Sequence, residues 1–163
     1  MANRIVSLVV LSVACAVPVT AQEPSGEFHR FHIAVLVGDT HASEANGFTF
    51  GGDVEFRPRR LVGVALTGEH VNEPFRENVW VFGVNVHPAR GLRLTIGPGF
   101  ERVSHADEGH HEQHALLRIG AAYEIPLKHG WSIDPDVALD FVDGERVVVY
   151  AVAIGKEFGR VAH

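Results

Sequence analysis

Residues 47–57 read GFTFGGDVEFR, and the fold turns on how the two faces of this stretch are assigned. Phe48, Phe50, Val54 and Phe56 fall on one side, and Thr49, Asp53, Glu55 and Arg57 on the other, with Gly51 and Gly52 between them. Successive side chains of an extended chain point to opposite faces, so the alternation marks a strand with one dry and one polar face. In a soluble barrel or sandwich the dry face turns inward to a core. In a membrane barrel it turns outward to lipid, and the charged face fills the interior. One strand fits both arrangements, so the decision rests on the rest of the chain.

Working outward from this stretch, no window from Phe28 onward carries a helical period. Period-two runs occur instead at about 28–37, 47–57, 61–70, 78–87, 92–103, 114–126, 131–142 and 146–158. Most are about ten to twelve residues long, whereas strands of globular proteins average about five or six. A tilted transmembrane strand needs about nine to eleven. The connections alternate in kind. PRR, PARG and LKHG are short, turn on Pro or Gly, and each carries a Lys or Arg. GDTHASEAN, VNEPFREN and SHADEGHHEQ are longer, polar and acidic, and DGE is a tight turn on the same side. Short turns at one end and longer loops at the other are the pattern of an up-and-down membrane barrel.

The faces agree from run to run. The apolar sets include Phe31, Ile33, Val35 and Val37; Trp80, Phe82, Val84 and Val86; Leu94, Ile96 and Phe100; Trp131, Ile133, Val137 and Leu139; and Tyr150, Val152, Ile154 and Phe158. Aromatic residues gather toward the run ends, at Phe31, Phe56, Trp80, Phe100, Tyr123, Trp131, Phe141 and Phe158, as the two boundaries of a bilayer select. The opposite sets hold His32, Asp53, Glu55, Arg57, Glu69, Asn85, Arg93, Arg118, Glu124, Asp134, Asp136, Asp140 and Glu157, interspersed with Gly and Ala. The Phe- and Trp-bearing sets are too bulky for the inside of an eight-stranded cylinder, which is just wide enough for side chains. Small residues among paired acids and arginines suit a narrow filled lumen. The Phe face is therefore assigned to lipid, and the expected fold is an all-β, eight-stranded antiparallel up-and-down transmembrane β-barrel.

The N-terminus predicts export. MANR precedes the apolar run IVSLVVLSVACAV and then PVTAQ: a basic start, a core of signal-peptide length, and small residues at Val19 and Ala21 for cleavage. The expected organisation is a cleavable signal over 1–21 and a barrel domain over 22–163. Cys15 lies inside the signal, and lipidation there is an alternative that the preceding SVA does not favour. Removal of the signal leaves a chain without cysteine. A formal charge of −6 argues against a nucleic-acid partner.

On its signal, its eight runs, the GFTFGGDVEFRP segment and the closing VVVYAVAIGKEF, the chain resembles the small OmpA/OmpX-type outer-membrane β-barrels of Gram-negative bacteria. The resemblance implies the cell outer membrane as location and outer-membrane lipid as surroundings, with a monomeric barrel. Such barrels commonly end in an aromatic residue; Phe158 fits, although Lys156 stands where an apolar residue is usual and GRVAH follows.

The densest chemical constellation is SHADEGHHEQH, with His105, His110, His111 and His114 beside Asp107, Glu108 and Glu112. Imidazoles and carboxylates at this spacing can gather round Zn²⁺ or Ni²⁺, but a loop without rigid spacing loses entropy to do so, and a solvated, pH-responsive loop is the simpler reading. Lipid-modifying barrel enzymes of the deacylase kind carry His and Ser two residues apart on one strand; here His105 is followed by Asp107 at that distance. Asp134 and Asp136 are read as ion-pair partners of Arg93 or Arg118. The reading therefore assigns no catalytic, cofactor or metal residue and no enzymatic activity. It expects a structural or surface-interaction barrel with a lumen filled by charged side chains, an extracellular ligand held through the loops, and no open pore. Small-solute or metal-linked transport, or a lipid-modifying enzyme, stand as alternatives.

Overall fold

The computed structural model describes residues 28–42, 45–104 and 111–161. The signal segment, Cys15 and the 22–27 lead lie outside the described residues. Eight long strands make up the rest: β1 (Phe28–Ala42), β2 (Ala45–Arg59), β3 (Val62–Val71), β4 (Glu77–Ala89), β5 (Leu92–Ser104), β6 (His111–Tyr123), β7 (Trp131–Val142) and β8 (Glu145–Val161). A two-residue piece, Ile125–Pro126, continues β6 past a break at Glu124 and pairs with β7. Each strand is antiparallel to its neighbours in the chain, and β1 pairs with β8, from Phe28↔Val161 to Ala42↔Val147. The sheet is thereby closed and has no edge.

Burial is inverted relative to a soluble protein. Val35, Phe82, Ile154 and the other members of the apolar sets face out, with Val35 66% exposed, while Glu55 and Asp134 on the inner face are 0% exposed. A folded chain tolerates such a continuous apolar belt only where lipid covers it. The aromatic residues do mark two levels. Near the end that carries both chain ends of the barrel, Phe31 lies between Phe56 and Phe158, with ring centroids 5.2 Å and 5.7 Å away. Near the other end Phe50 packs 5.2 Å from the His70 ring, and Trp80 lies over Gly68, whose missing Cβ would meet the ring at 2.9 Å. Lys156, out of place as an apolar strand residue, sits at the first boundary: its ammonium is 5.2 Å from the Trp131 ring and donates to the His129 carbonyl. A long cationic side chain reaching from the belt to the polar boundary needs no apolar neighbour.

Two expectations from the sequence are corrected. GDTHASEAN was expected as a long connection, yet β1 runs on to Ala42 and β2 begins at Ala45, in register from Gly38↔Thr49 to Ala42↔Ala45. Backbone pairing continues beyond the lipid-facing belt because a strand needs no apolar face once it stands in water. The Thr40 and Thr49 hydroxyls, 2.5 Å apart, join the strands on the inner side. In the same way β6 begins at His111, inside SHADEGHHEQ. Asn72–Arg76 is a true loop, tied down by the Asn72 N–H on the Phe48 carbonyl at 2.8 Å. The second correction concerns the lumen. Toward the loop-bearing end its wall is apolar on the inside as well: Val71, Val79, Val81, Leu116 and Val142 form a buried cluster with Phe75 packed against it.

Candidate functional site in the barrel lumen

The inner face is built in layers, because alternate residues of every strand point to the axis and the register brings their charges to common heights. At the end bearing the chain ends, Arg57 on β2 gathers three carboxylates. Its Nε donates to Glu55 Oε2 at 2.9 Å, its Nη1 to Glu157 Oε1 at 3.2 Å, and its Nη2 to Glu124. Glu124 reaches this point because the break after Tyr123 turns it inward; its N–H is held by the Gly91 carbonyl at 2.6 Å. His87 Nε2 meets Glu55 Oε1 at 2.8 Å, and His29 Nδ1 lies 3.2 Å from Glu157.

One level further in, Arg93 on β5 donates to Asp53 at 3.3 Å and to Asp136 at 3.5 Å. His32, wholly buried, stands beside this pair, with Nδ1 4.0 Å from Asp53 Oδ2 and Nε2 3.2 Å from Asp134 Oδ2. Above it, Arg118 on β6 binds both oxygens of Glu69 and both of Asp140, at 2.5–2.8 Å. Between the Arg93 and Arg118 levels lies a cavity of about 40 Å³, bounded by Thr67, Thr95 and Asp136 and by small apolar residues such as Ala65 and Ala138. The apolar cluster around Leu116 closes the lumen above Arg118.

Asp134 and Asp136, read from the sequence as ion-pair partners of Arg93 or Arg118, divide. Asp136 does pair with Arg93, whereas Asp134 faces His32. Neither partners Arg118, which takes Glu69 and Asp140 instead. Of the four loop histidines, His105 and His110 lie outside the described residues and only the backbone of His111 is described. His114 turns to Asp143 in the β7–β8 turn, Nδ1 to Oδ2 at 2.5 Å. That bond raises its pKa above the ordinary 6.5, since the carboxylate favours the charged ring.

What sequence reasoning missed is a convergence in the lower lumen. His32 Nε2, Ser132 Oγ and Asp134 Oδ2 all approach the point that a Cβ on Gly155 would occupy, with Ser132 at 2.6 Å, Asp134 at 3.0 Å and His32 closer still. All three residues are buried, and apart from the 3.2 Å His32–Asp134 contact none of these atoms has a partner among the described residues. The residue types are those of a hydrolytic relay, but in a relay the acid and the serine take opposite ring nitrogens. Here Asp134 and Ser132 stand on the same Nε2 side, and Asp53 on the other side is beyond hydrogen-bond distance. A neighbouring trio, His32, Glu55 and Glu124, offers ligand atoms within 4.8 Å of one another, although Arg57 already holds both glutamates. The one signal in the sequence was Gly155 on an inner face between larger residues.

No protein-family model and no curated relative matches the sequence. Solved structures do. The N-terminal β-barrel domain of Pseudomonas aeruginosa OprF matches with a TM-score of 0.62 at 12% identity, over 78% of this chain and 97% of that one. Neisserial surface protein A matches at 0.53 and 12%, over 82% and 99%. Ail, the attachment invasion locus protein of Yersinia pestis, solved with the heparin analogue sucrose octasulfate, matches at 0.51 and 14%, over 83% and 100%. At these identities the likeness is one of fold, and it agrees with the inverted burial. The chain is a transmembrane β-barrel with the fold of the small eight-stranded outer-membrane proteins.

Proposed function

We propose that the chain is an exported, monomeric outer-membrane barrel that acts through its extracellular rim and loops and carries no open pore and no catalytic centre. One observation carries the reading: three arginine-centred ion-pair levels and an apolar collar lie across the lumen in series. Passage of a solute would have to part bidentate pairs in a poorly hydrated interior, which is costly. Rigid closure of the cylinder leaves recognition to the outer end, where the Asn72–Arg76 loop and the strand extensions stand clear of the lipid belt.

The class of ligand follows from charge. The Ail structure contains a sulfated analogue, but the described residues at the loop-bearing end set Asp39, Glu73, Glu112, Asp143 and Glu145 against Arg76, Arg102 and Arg146, and the sequence between β5 and β6 adds Asp107 and Glu108. An acidic rim suits a neutral or cationic partner better than a polyanion. The test is electrical: refolded full-length protein reconstituted in planar bilayers should give no stable unitary steps. A steady, salt-dependent unitary conductance would overturn the reading in favour of solute transport.

A further inference from the structure

The lower half of the lumen is short of positive charge. Asp53, Glu55, Glu124, Asp134, Asp136 and Glu157 face inward there; the guanidiniums of Arg57 and Arg93 pair with five of them, and His29, His32 and His87 stand against Glu157, Asp134 and Glu55. Arg118, one level up, is engaged by Glu69 and Asp140. A buried carboxylate without a counter-charge is costly, and Asp134, fully buried, meets His32 and no arginine among the described residues. Compensation must come from protons on His29, His32 and His87 or from a bound cation.

We propose that His32 Nε2, Asp134 and Ser132 hold one divalent transition-metal cation of the Zn²⁺ class against Gly155. Four observations support it together. The donors converge on a single point, and Gly155 contributes no side chain to fill it. Apart from the His32–Asp134 contact, their polar atoms have no partner among the described residues, although the residues are 0%, 0% and 3% exposed. His32 Nε2 and Asp134 Oδ2 are 3.2 Å apart as an ion-pair contact, and two ligands at about 2.0 Å from a tetrahedral Zn²⁺ stand about 3.3 Å apart, so a cation could take the place of the shared proton without moving either group. Asp53 Oδ2 lies 4.0 Å from the far ring nitrogen, too far for a hydrogen bond but near enough for its negative charge to favour a cation at this level. One imidazole with oxygen donors suits Zn²⁺ or its neighbours better than Ca²⁺ or Mg²⁺. The cation would supply the charge that this level lacks and tie β1 to β7 from inside, across the Gly155 position of β8.

The experiment uses the full chain with the four loop histidines replaced by Ser, so that the histidine-rich loop retains no metal, and the His32 and Asp134 variants assign what is left to the lumen. The protein is folded into detergent micelles with Zn²⁺ or Co²⁺ and freed of loose metal by gel filtration. The parent should retain about one equivalent of metal, and its Co²⁺ form should show visible absorption unlike that of the hydrated ion. Asp134→Asn and His32→Gln should weaken retention by roughly 100-fold or more, and Asp53→Asn, which removes a nearby charge and no hydrogen bond, clearly less, with the gel mobility of the unheated folded barrel preserved. No retained metal in the folded parent overturns the proposal and leaves charge balance to the histidines, a result that stands even if the variants fail to fold. Equal retention in folded Asp134→Asn overturns it as well, because the metal then lies elsewhere.

Discussion

Arg118 on β6 and Glu69 on β3 meet through the lumen as a two-pronged pair, Nη1 on Oε1 at 2.5 Å and Nη2 on Oε2 at 2.8 Å. Strands three apart in the cylinder are thus joined by side chains, not only by the ladder. The same guanidinium takes Asp140 on β7, so one residue neutralises two buried carboxylates. Arg118→Leu strands both, and the expected loss is about 3–5 kcal/mol, read as a lower urea midpoint for protein refolded into vesicles. Replacing Glu69 and Asp140 by Gln and Asn in the same chain should restore much of it. A single mutant as stable as the parent would show that this level contributes nothing.

The apolar collar makes a second test, since adjacent leucines on β6 face opposite media. Leu116 is 5% exposed inside the cluster and Leu117 is 43% exposed on the outer face. Leu116→Ala leaves a cavity that a closed cylinder cannot collapse around, and should cost about 2–5 kcal/mol. Leu117→Ala leaves a dent that lipid chains fill and should cost clearly less. Equal effects on the unfolding midpoint would mean that the collar is not packed.

The strand faces were legible from the sequence because period two survives almost everywhere the wall is polar inside and apolar outside, as in VEFR at 54–57. The collar was not. In NVWVFGV at 78–84 the inner Val79 and Val81 alternate with the outer Trp80 and Phe82, and a stretch that is apolar on both faces carries no alternation to read. Strand ends beyond the lipid belt were hidden for the opposite reason: Asp39 and His41 are outward but wet, so nothing apolar marks them as strand. The His32–Ser132–Asp134 convergence joins β1 to β7, a hundred residues apart in sequence. Only closure of the cylinder and the register of β8 around Gly155 bring them together.

His114 and Asp143 give a pH test outside the bilayer. The Asp143 hydrogen bond raises the His114 pKa above 6.5, so the protonated pair is favoured in the folded state. Its contribution is fully present below the ordinary histidine value and fades as pH rises through the raised one. Nuclear magnetic resonance of the His114 ring in the refolded protein should report a midpoint above 6.5, and Asp143→Asn should bring it down. An unchanged midpoint in that variant would assign the shift to other charges.

Thr95 and Ile96 sit side by side on β5, paired with Asn85 and Val84 on one side and with Gly120 and Ile119 on the other. Ile96 is 51% exposed within the outer belt, whereas Thr95 lines the inner cavity and donates to Asn85 Oδ1 at 2.8 Å. Ile96→Arg places a charge in lipid near the middle of the belt, at a cost of about 2–4 kcal/mol. Thr95→Arg can reach Asp53 or Asp136, which line the same cavity, so crowding is what it must overcome, at about 1–3 kcal/mol. Ile96→Arg should therefore lower the urea midpoint in vesicles more than Thr95→Arg. Because those ranges overlap, a spin label at each position decides the orientation. Oxygen dissolves in the hydrocarbon, so a label at 96 should be relaxed strongly by oxygen and a label at 95 weakly. A label at 96 shielded from oxygen, beside a label at 95 in free water, would mean that the Phe face points inward and that the barrel is not in a membrane.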